Sequence, residues 1–249
     1  PGPGGNASTM ARVLVTRPEQ DAAAPAARLS SLGHAAIITP LMDIRFEAGP
    51  ALDLTGIQAL LVTSANGARA LAARQAGADI PLPVLAVGDA TARAARDLGF
   101  ADVESAGGDV DDLARLAAAR LRPGDGALLH VAGSKVAGDL AGMLAKAGYT
   151  YRRSVLYDAR PVAALPRAAQ AAIADGTAAA VLLYSPRTAA LFRDLVLAAG
   201  LGGLLEGMTA FCLSANVAGQ SGAGWRRIVV AAQPTEQSLM DGVAGWARE

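Results

Sequence analysis

The sequence predicts an α/β protein of two doubly wound, parallel-sheet domains, the first of them discontinuous, joined by two linker strands. Three observations predict it. Short apolar runs alternate along the chain with helical stretches of roughly 10–15 residues, which is the pattern of βαβ units and parallel sheets. Ala59 to Leu71 (ALLVTSANGARAL) and Ala180 to Phe192 (AVLLYSPRTAALF) share one design: an apolar run stops at a hydroxyl residue and turns into a helix, with Ser185 standing 121 positions after Ser64. Leu41 to Glu47 and Ser154 to Arg160 are similar extended segments that bracket a complete set of strands and helices.

Composition narrows the function classes. The 249 residues suffice for two domains, and with 52% apolar and 18% charged residues the chain can bury a sizeable core. Lys+Arg 22 balances Asp+Glu 22, whereas nucleic-acid binders carry a basic excess. The single cysteine, Cys212 in the apolar run AFCL, reads as a buried small hydrophobe. One cysteine makes no internal disulfide, which suits a reducing cytoplasm. No apolar stretch approaches the roughly 20 residues of a membrane span, and no signal peptide precedes Met10. Residues 1–9 read as a cloning remnant.

Taken in order, Ala11 to Thr16 is a buried strand. Arg17-Pro18-Glu19 leads into a helix with Glu19 and Asp21 at its positive end. Pro25 delays or kinks that helix, and Gly33 ends it in a left-handed conformation. Ala35 to Thr39 is the second strand, and Leu41 to Glu47 the first linker. The inserted domain, residues 48–153, has strands at Gln58 to Thr63, Pro83 to Val87, Ala101 to Glu104, Ala127 to Val131 and Thr150 to Arg153. Its helices begin near Asn66, Asp89, Val110 and Lys135, with stops at Gly77 and Gly99. After the linker 154–160, the first domain (11–40 plus 161–249) resumes. Strands at Ala178 to Tyr184, Thr209 to Leu213 and Arg226 to Ala231 alternate there with helices at 165–175, 186–199, from Ala215, and 235–246, where Thr235 is the N-cap. Each domain thus has five strands, and further pairs such as Gly33 with Gly148 and Thr91 with Asn216 mark the duplication.

The candidate chemistry lies in turns at the carboxyl ends of strands, where open parallel sheets bind ligands. They are Thr16 with Arg17; Ser64, Ala65 and Asn66; Gly88 with Thr91; Ser185 with Pro186; and Ser214 with Asn216. Each hydroxyl or amide is also a plain helix cap. Together they would line one cleft between the copies with neutral donors and backbone N–H groups, suited to a polyanion. Tyr157, at the seam between the domains, would supply a phenolic proton to a leaving group. His34 and His130 are 96 residues apart and read as structural. No metal-ligand spacing, Walker loop, GxSxG elbow or GxGxxG fingerprint occurs.

The motifs VTRP at 15–18, TSAN at 63–66, VGDATA at 87–92, VLYDAR at 155–160, SP at 185–186 and AAQPTEQSL at 231–239 resemble those of the uroporphyrinogen-III synthase family, in their order as much as in their content. The resemblance implies two flavodoxin-like domains joined by a two-stranded linker. It also implies a cofactor-independent conversion of hydroxymethylbilane into uroporphyrinogen III. By position, Tyr157 matches the family's tyrosine proposed to assist hydroxide departure, and Ser64, Thr91 and Ser185 match its cleft hydroxyls. Leu213 and Asn216 depart from the family's usual Gly and Thr, and Asn216 would substitute as the donor. A monomer is expected, acting in the cytoplasm on a substrate handed over by the preceding pathway enzyme, with no nucleic-acid or membrane partner. Two other readings remain at this stage: a two-domain binding protein for a small anion, and a sugar- or nucleotide-modifying enzyme on the same layered fold. The second should show a catalytic acid–base pair at the strand ends, and none is visible.

Overall fold

A computed structural model describes residues 10–76, 80–136 and 138–246. Gly77 and the segment 1–9 lie outside the described residues. Along the chain come β1 (Arg12–Val15), α1 (Ala23–Ser31), β2 (Ala35–Ile38), β3 (Met42–Phe46), β4 (Ile57–Val62), α2 (Ala65–Arg74), β5 (Val84–Ala86) and α3 (Asp89–Asp97). Then follow β6 (Val103–Ser105), α4 (Val110–Arg120), β7 (Ala127–Gly133), α5 (Leu140–Lys146), β8 (Tyr151–Pro161), α6 (Arg167–Ala174) and β9 (Ala178–Leu183). The last elements are α7 (Pro186–Ala198), β10 (Thr209–Cys212), α8 (Ala215–Gln220), β11 (Arg227–Val230) and α9 (Glu236–Trp246). The chain divides into two compact units, one comprising Pro1–Asp43 and Pro161–Glu249, the other Ile44–Arg160.

The discontinuous unit is built on a sheet of order β11-β10-β9-β1-β2 whose neighbouring strands are all parallel. Counted in chain order this is 2-1-3-4-5, the flavodoxin arrangement. Val13, Leu14 and Val15 are fully buried because helices cover both faces of the sheet. Phe192 and Val196 of α7 and Ile173 of α6 pack on one face; Leu29 of α1 with Leu239 and Val243 of α9 pack on the other.

The contiguous unit has the order β3-β8-β7-β4-β5-β6. Its five main strands are parallel and count as 3-2-1-4-5. This is the same spatial arrangement with the chain permuted: β4, β5 and β6 stand where β9, β10 and β11 stand in the other unit, and β7 and β8 where β1 and β2 stand. β3 adds a sixth, edge strand beside β8. The Glu47 N–H donates to the Leu156 carbonyl (2.8 Å) and the Val162 N–H to the Leu41 carbonyl (3.0 Å), so the numbers run in opposite senses and the pairing is antiparallel.

Two sequence expectations are corrected. Thr150 to Arg153 and the linker Ser154 to Arg160 are one strand, β8, broken only by a bulge: Ala132 pairs with Val155, but Gly133 pairs with Tyr157. The helix placed near Lys135 begins at Leu140, because the Asp139 carboxylate accepts the Gly142 N–H (2.9 Å) and so caps it there. Pro25 falls in the first turn of α1, where the missing N–H costs no helix bond, and Gly33 ends the helix at φ +82°.

Candidate active site

In an open α/β sheet the ligand crevice lies at the carboxyl ends of the two strands where the winding reverses. Those strands are β4 and β7 in the contiguous unit and β1 and β9 in the discontinuous one. Ser64 ends β4 and Ser185 ends β9, so each unit carries its hydroxyl turn at that point. Both are N-caps: the Ser64 Oγ accepts the Gly67 N–H at 3.0 Å, and the Ser185 Oγ accepts the Thr188 N–H at 3.1 Å. Ala65 and Pro186 are the first residues of α2 and α7. Gly67 lets α2 start close to the sheet, for a Cβ there would lie 3.1 Å from the Val131 carbonyl oxygen.

The two turns then differ. Ser185 spends its own proton on the Thr188 Oγ1 (2.8 Å), closing a local loop. Ser64 instead meets the hydroxyl of Tyr157 at 2.7 Å. The bulge in β8 makes this contact possible, since it turns both Leu156 and Tyr157 inward where alternation would bury one of them. The Tyr157 ring lies against Gly133 at the end of β7. There the Arg153 guanidinium donates to the Gly133 carbonyl (2.6 Å) and the Ser134 carbonyl (3.0 Å), and Ser134 donates to Asp158.

A second polar group crosses the other face of the same strands. His130 of β7 is 2% exposed, and both its ring nitrogens are satisfied: Nε2 by the Thr63 Oγ1 at 3.0 Å, and Nδ1 by the Tyr151 hydroxyl at 2.7 Å. Burial, helped by the charge of Arg153, pushes the imidazole down to about 4, so it is neutral near pH 7. Burial likewise raises the Tyr151 phenol.

The remaining candidates are placed unequally. Thr16 is 2% exposed, and its hydroxyl donates to the Leu182 carbonyl at 2.6 Å; it ties β1 to β9 from inside the sheet and is not displayed to a ligand. Arg17 lies over the Tyr184 ring, 4.4 Å from its centroid, and pairs with Glu236 at 3.0 Å. Burial raises the Tyr184 phenol. Gly88 is the N-cap residue of α3, and Thr91 sits on the inward side of that helix. Asn66 accepts from the Arg69 guanidinium (2.9 Å). Ser214 caps α8 through the Val217 N–H at 3.4 Å, and Asn216 is exposed in the first turn. Cys212 is fully buried and its thiol pushed up to about 11, as its reading as a small hydrophobe requires. Sequence reasoning passed over Gly133, Thr63, Tyr151 and the role of His130. A signal was present in the two tyrosines of one strand, six residues apart.

Fold and site together define a two-unit α/β protein whose helices start at hydroxyl-capped turns at the strand ends. The uroporphyrinogen-III synthase HemD family profile matches residues 23–241, and the chain belongs to that family, the cyclising lyases of haem biosynthesis, which act on a small-molecule substrate. Among solved structures, the fold resembles that of uroporphyrinogen-III synthetase from Helicobacter pylori (TM-score 0.63, 17% identity, 95% of this chain and 100% of that one). It also resembles a mutant uroporphyrinogen III synthase from Thermus thermophilus (TM-score 0.53, 17% identity, 96% of this chain and 98% of that one). No curated protein sequence matches. Among the described residues, no helix is long and apolar enough to cross a membrane.

Proposed function

We propose that this chain closes hydroxymethylbilane to uroporphyrinogen III with ring D inverted, and that Tyr157 and Ser64 carry the proton chemistry of the first step. The observation that supports this assignment is the 2.7 Å contact between the two hydroxyls at the reversal point of the contiguous unit. The Ser64 Oγ already accepts the Gly67 N–H, so its own proton is available to the Tyr157 oxygen. The phenol then keeps its hydrogen for the departing hydroxyl of ring A. Proton transfer from the phenol releases water and leaves the azafulvene in its N-protonated, cationic form, while the Ser64 O–H and the Gly67 N–H behind it stabilise the phenolate. Ring D is attacked at its substituted carbon to give the spiro intermediate. Fragmentation and re-closure invert the ring, and the last ring proton lost on re-aromatisation restores the phenol.

The rest of the task is positional, because the substrate also closes unaided to the wrong isomer. The free N–H groups at the starts of α2, α3, α7 and α8, with Arg17, are the seats for its carboxylates. Ser185, Ser214, Asn216, Asn66 and Thr91 act in these seats, and the scheme calls for no metal or organic cofactor. The enzyme works as a monomer in the cytoplasm and takes its substrate from the preceding pathway enzyme.

The test supplies freshly generated hydroxymethylbilane to the purified protein and separates the oxidised products by isomer. A protein-dependent excess of isomer III is expected. Isomer I alone, from folded protein, would overturn the assignment.

A further inference from the structure

Three adjacent strands carry the groups that form the candidate active site. Ser64 follows β4, Gly133 ends β7, and Tyr157 lies in β8. One residue from each of the same three strands or their ends also builds the hydrogen-bonded row on the opposite face: Thr63, His130 and Tyr151. Thr63 immediately precedes Ser64, so whatever fixes the Thr63 side chain fixes the direction in which Ser64 points. His130 stands three residues before Gly133, and Tyr151 six residues before Tyr157, on the other side of the bulge that turns Tyr157 inward.

We infer that His130, through Thr63 and Tyr151, is a positioning residue that holds β4, β7 and β8 in the spacing the Ser64–Tyr157 contact requires. This inference rests on the reading of Tyr157 and Ser64 given above. A neutral imidazole has one N–H and one lone pair, and both hydroxyls can adapt, so the row is satisfied in either tautomer. The ring of His130 is 2% exposed between the part-buried Thr63 and Tyr151, so a lost partner at either ring nitrogen is poorly replaced by water. Removing one hydroxyl leaves a ring nitrogen unpaired, and the strand ends then shift to repair it. A contact of 2.7 Å at the reacting phenol tolerates little of that shift, since displacements of about 1 Å cost up to about a hundredfold in rate.

The test compares Thr63→Val and Tyr151→Phe with Thr63→Ser, each alone and in a Tyr157→Phe background. Thr63→Val and Tyr151→Phe should each lower kcat about tenfold with KM changed less than about twofold, and Thr63→Ser, which keeps the hydroxyl, should retain turnover. In the Tyr157→Phe background the same changes should cost less than about twofold, because the group they position is gone. A second readout is independent of turnover. The chain has four tyrosines, so with 3-fluorotyrosine incorporated the fluorine resonance missing from Tyr157→Phe belongs to Tyr157, and it should shift or broaden in Thr63→Val. An unmoved resonance, an unchanged kcat in Thr63→Val, or losses that add fully to Tyr157→Phe would each reduce the row to a brace of the fold. Normal turnover by Tyr157→Phe alone would instead remove the tyrosine from the mechanism and take this inference with it; the single variant tells the two failures apart.

Discussion

Tyr157 occupies the place where a side chain on Gly133 would stand: a Cβ on Gly133 would lie 2.8 Å from Cζ of the ring and 3.0 Å from the phenol oxygen. The absence of a side chain at the end of β7 therefore determines where the phenol sits. Because that phenol is also held by Ser64, Gly133→Ala must break one of the two contacts. We expect kcat to fall at least about tenfold, with the unfolding midpoint lowered by the equivalent of about 1–3 kcal/mol of overpacking. Steady-state kinetics and a urea titration on the same variant check both.

Tyr157→Phe keeps the ring against Gly133 and deletes only the hydroxyl. Formation of isomer III should slow about a hundredfold, the usual contribution of a general acid, while the far-ultraviolet spectrum and unfolding midpoint stay near wild type. Ser64→Ala loses both the hydroxyl partner of Tyr157 and the cap of α2. It should combine a smaller fall in kcat with about 1 kcal/mol of lost stability. In Ser185→Ala the cap is lost equally, but the effect on turnover should appear in KM.

Arg17 is oriented by its stack on Tyr184 and by Glu236. Arg17→Gln should raise KM several-fold with little change in kcat, and the salt dependence of KM should weaken, as expected when one cation facing a polyanion is removed. Initial rates at low and high ionic strength measure this.

Acid should destabilise the contiguous unit through His130. The ordinary imidazole value is 6.5 and the folded value about 4, so the unfolded chain takes up the proton first as pH falls. The contribution is complete above about pH 6.5 and is lost progressively down to about pH 4, on the order of 3 kcal/mol in all. Burial lowers His34 as well, and its effect has the same sign. Urea unfolding at pH 7 and pH 4.5 should show the loss, and His130→Gln should flatten it.

The alternation of strands and helices, the serine turns and the glycine stops could be read from the sequence because each is written within a few residues. An apolar run, an N-cap and a left-handed glycine need no distant partner. What could not be read depends on register. Nothing local announces the extra residue in β8 that carries Tyr157 to the face of Ser64, 93 residues away in sequence. Thr16 looks like its counterparts at the other strand ends, yet its hydroxyl reaches the Leu182 carbonyl, a partner visible only once β1 and β9 lie side by side. His130 reads as a core histidine and is one; its partners, Thr63 and Tyr151, come from strands on either side of it.

The permuted chain order has a consequence for how the protein is made. β1 and β9 are neighbours, although Thr16 and the Leu182 carbonyl it bonds are 166 residues apart. Closing so long a loop through an unfolded chain is slow and entropically costly. The contiguous unit has all its strands between Met42 and Pro161 and can fold as soon as that stretch leaves the ribosome. Once folded, it brings its two ends together through the antiparallel pair β3 and β8, and the gap that β1 and β9 must close shrinks from a long coil to the width of one ribbon. Synthesis from the N-terminus thus completes the inserted unit first, and the interrupted unit closes after it.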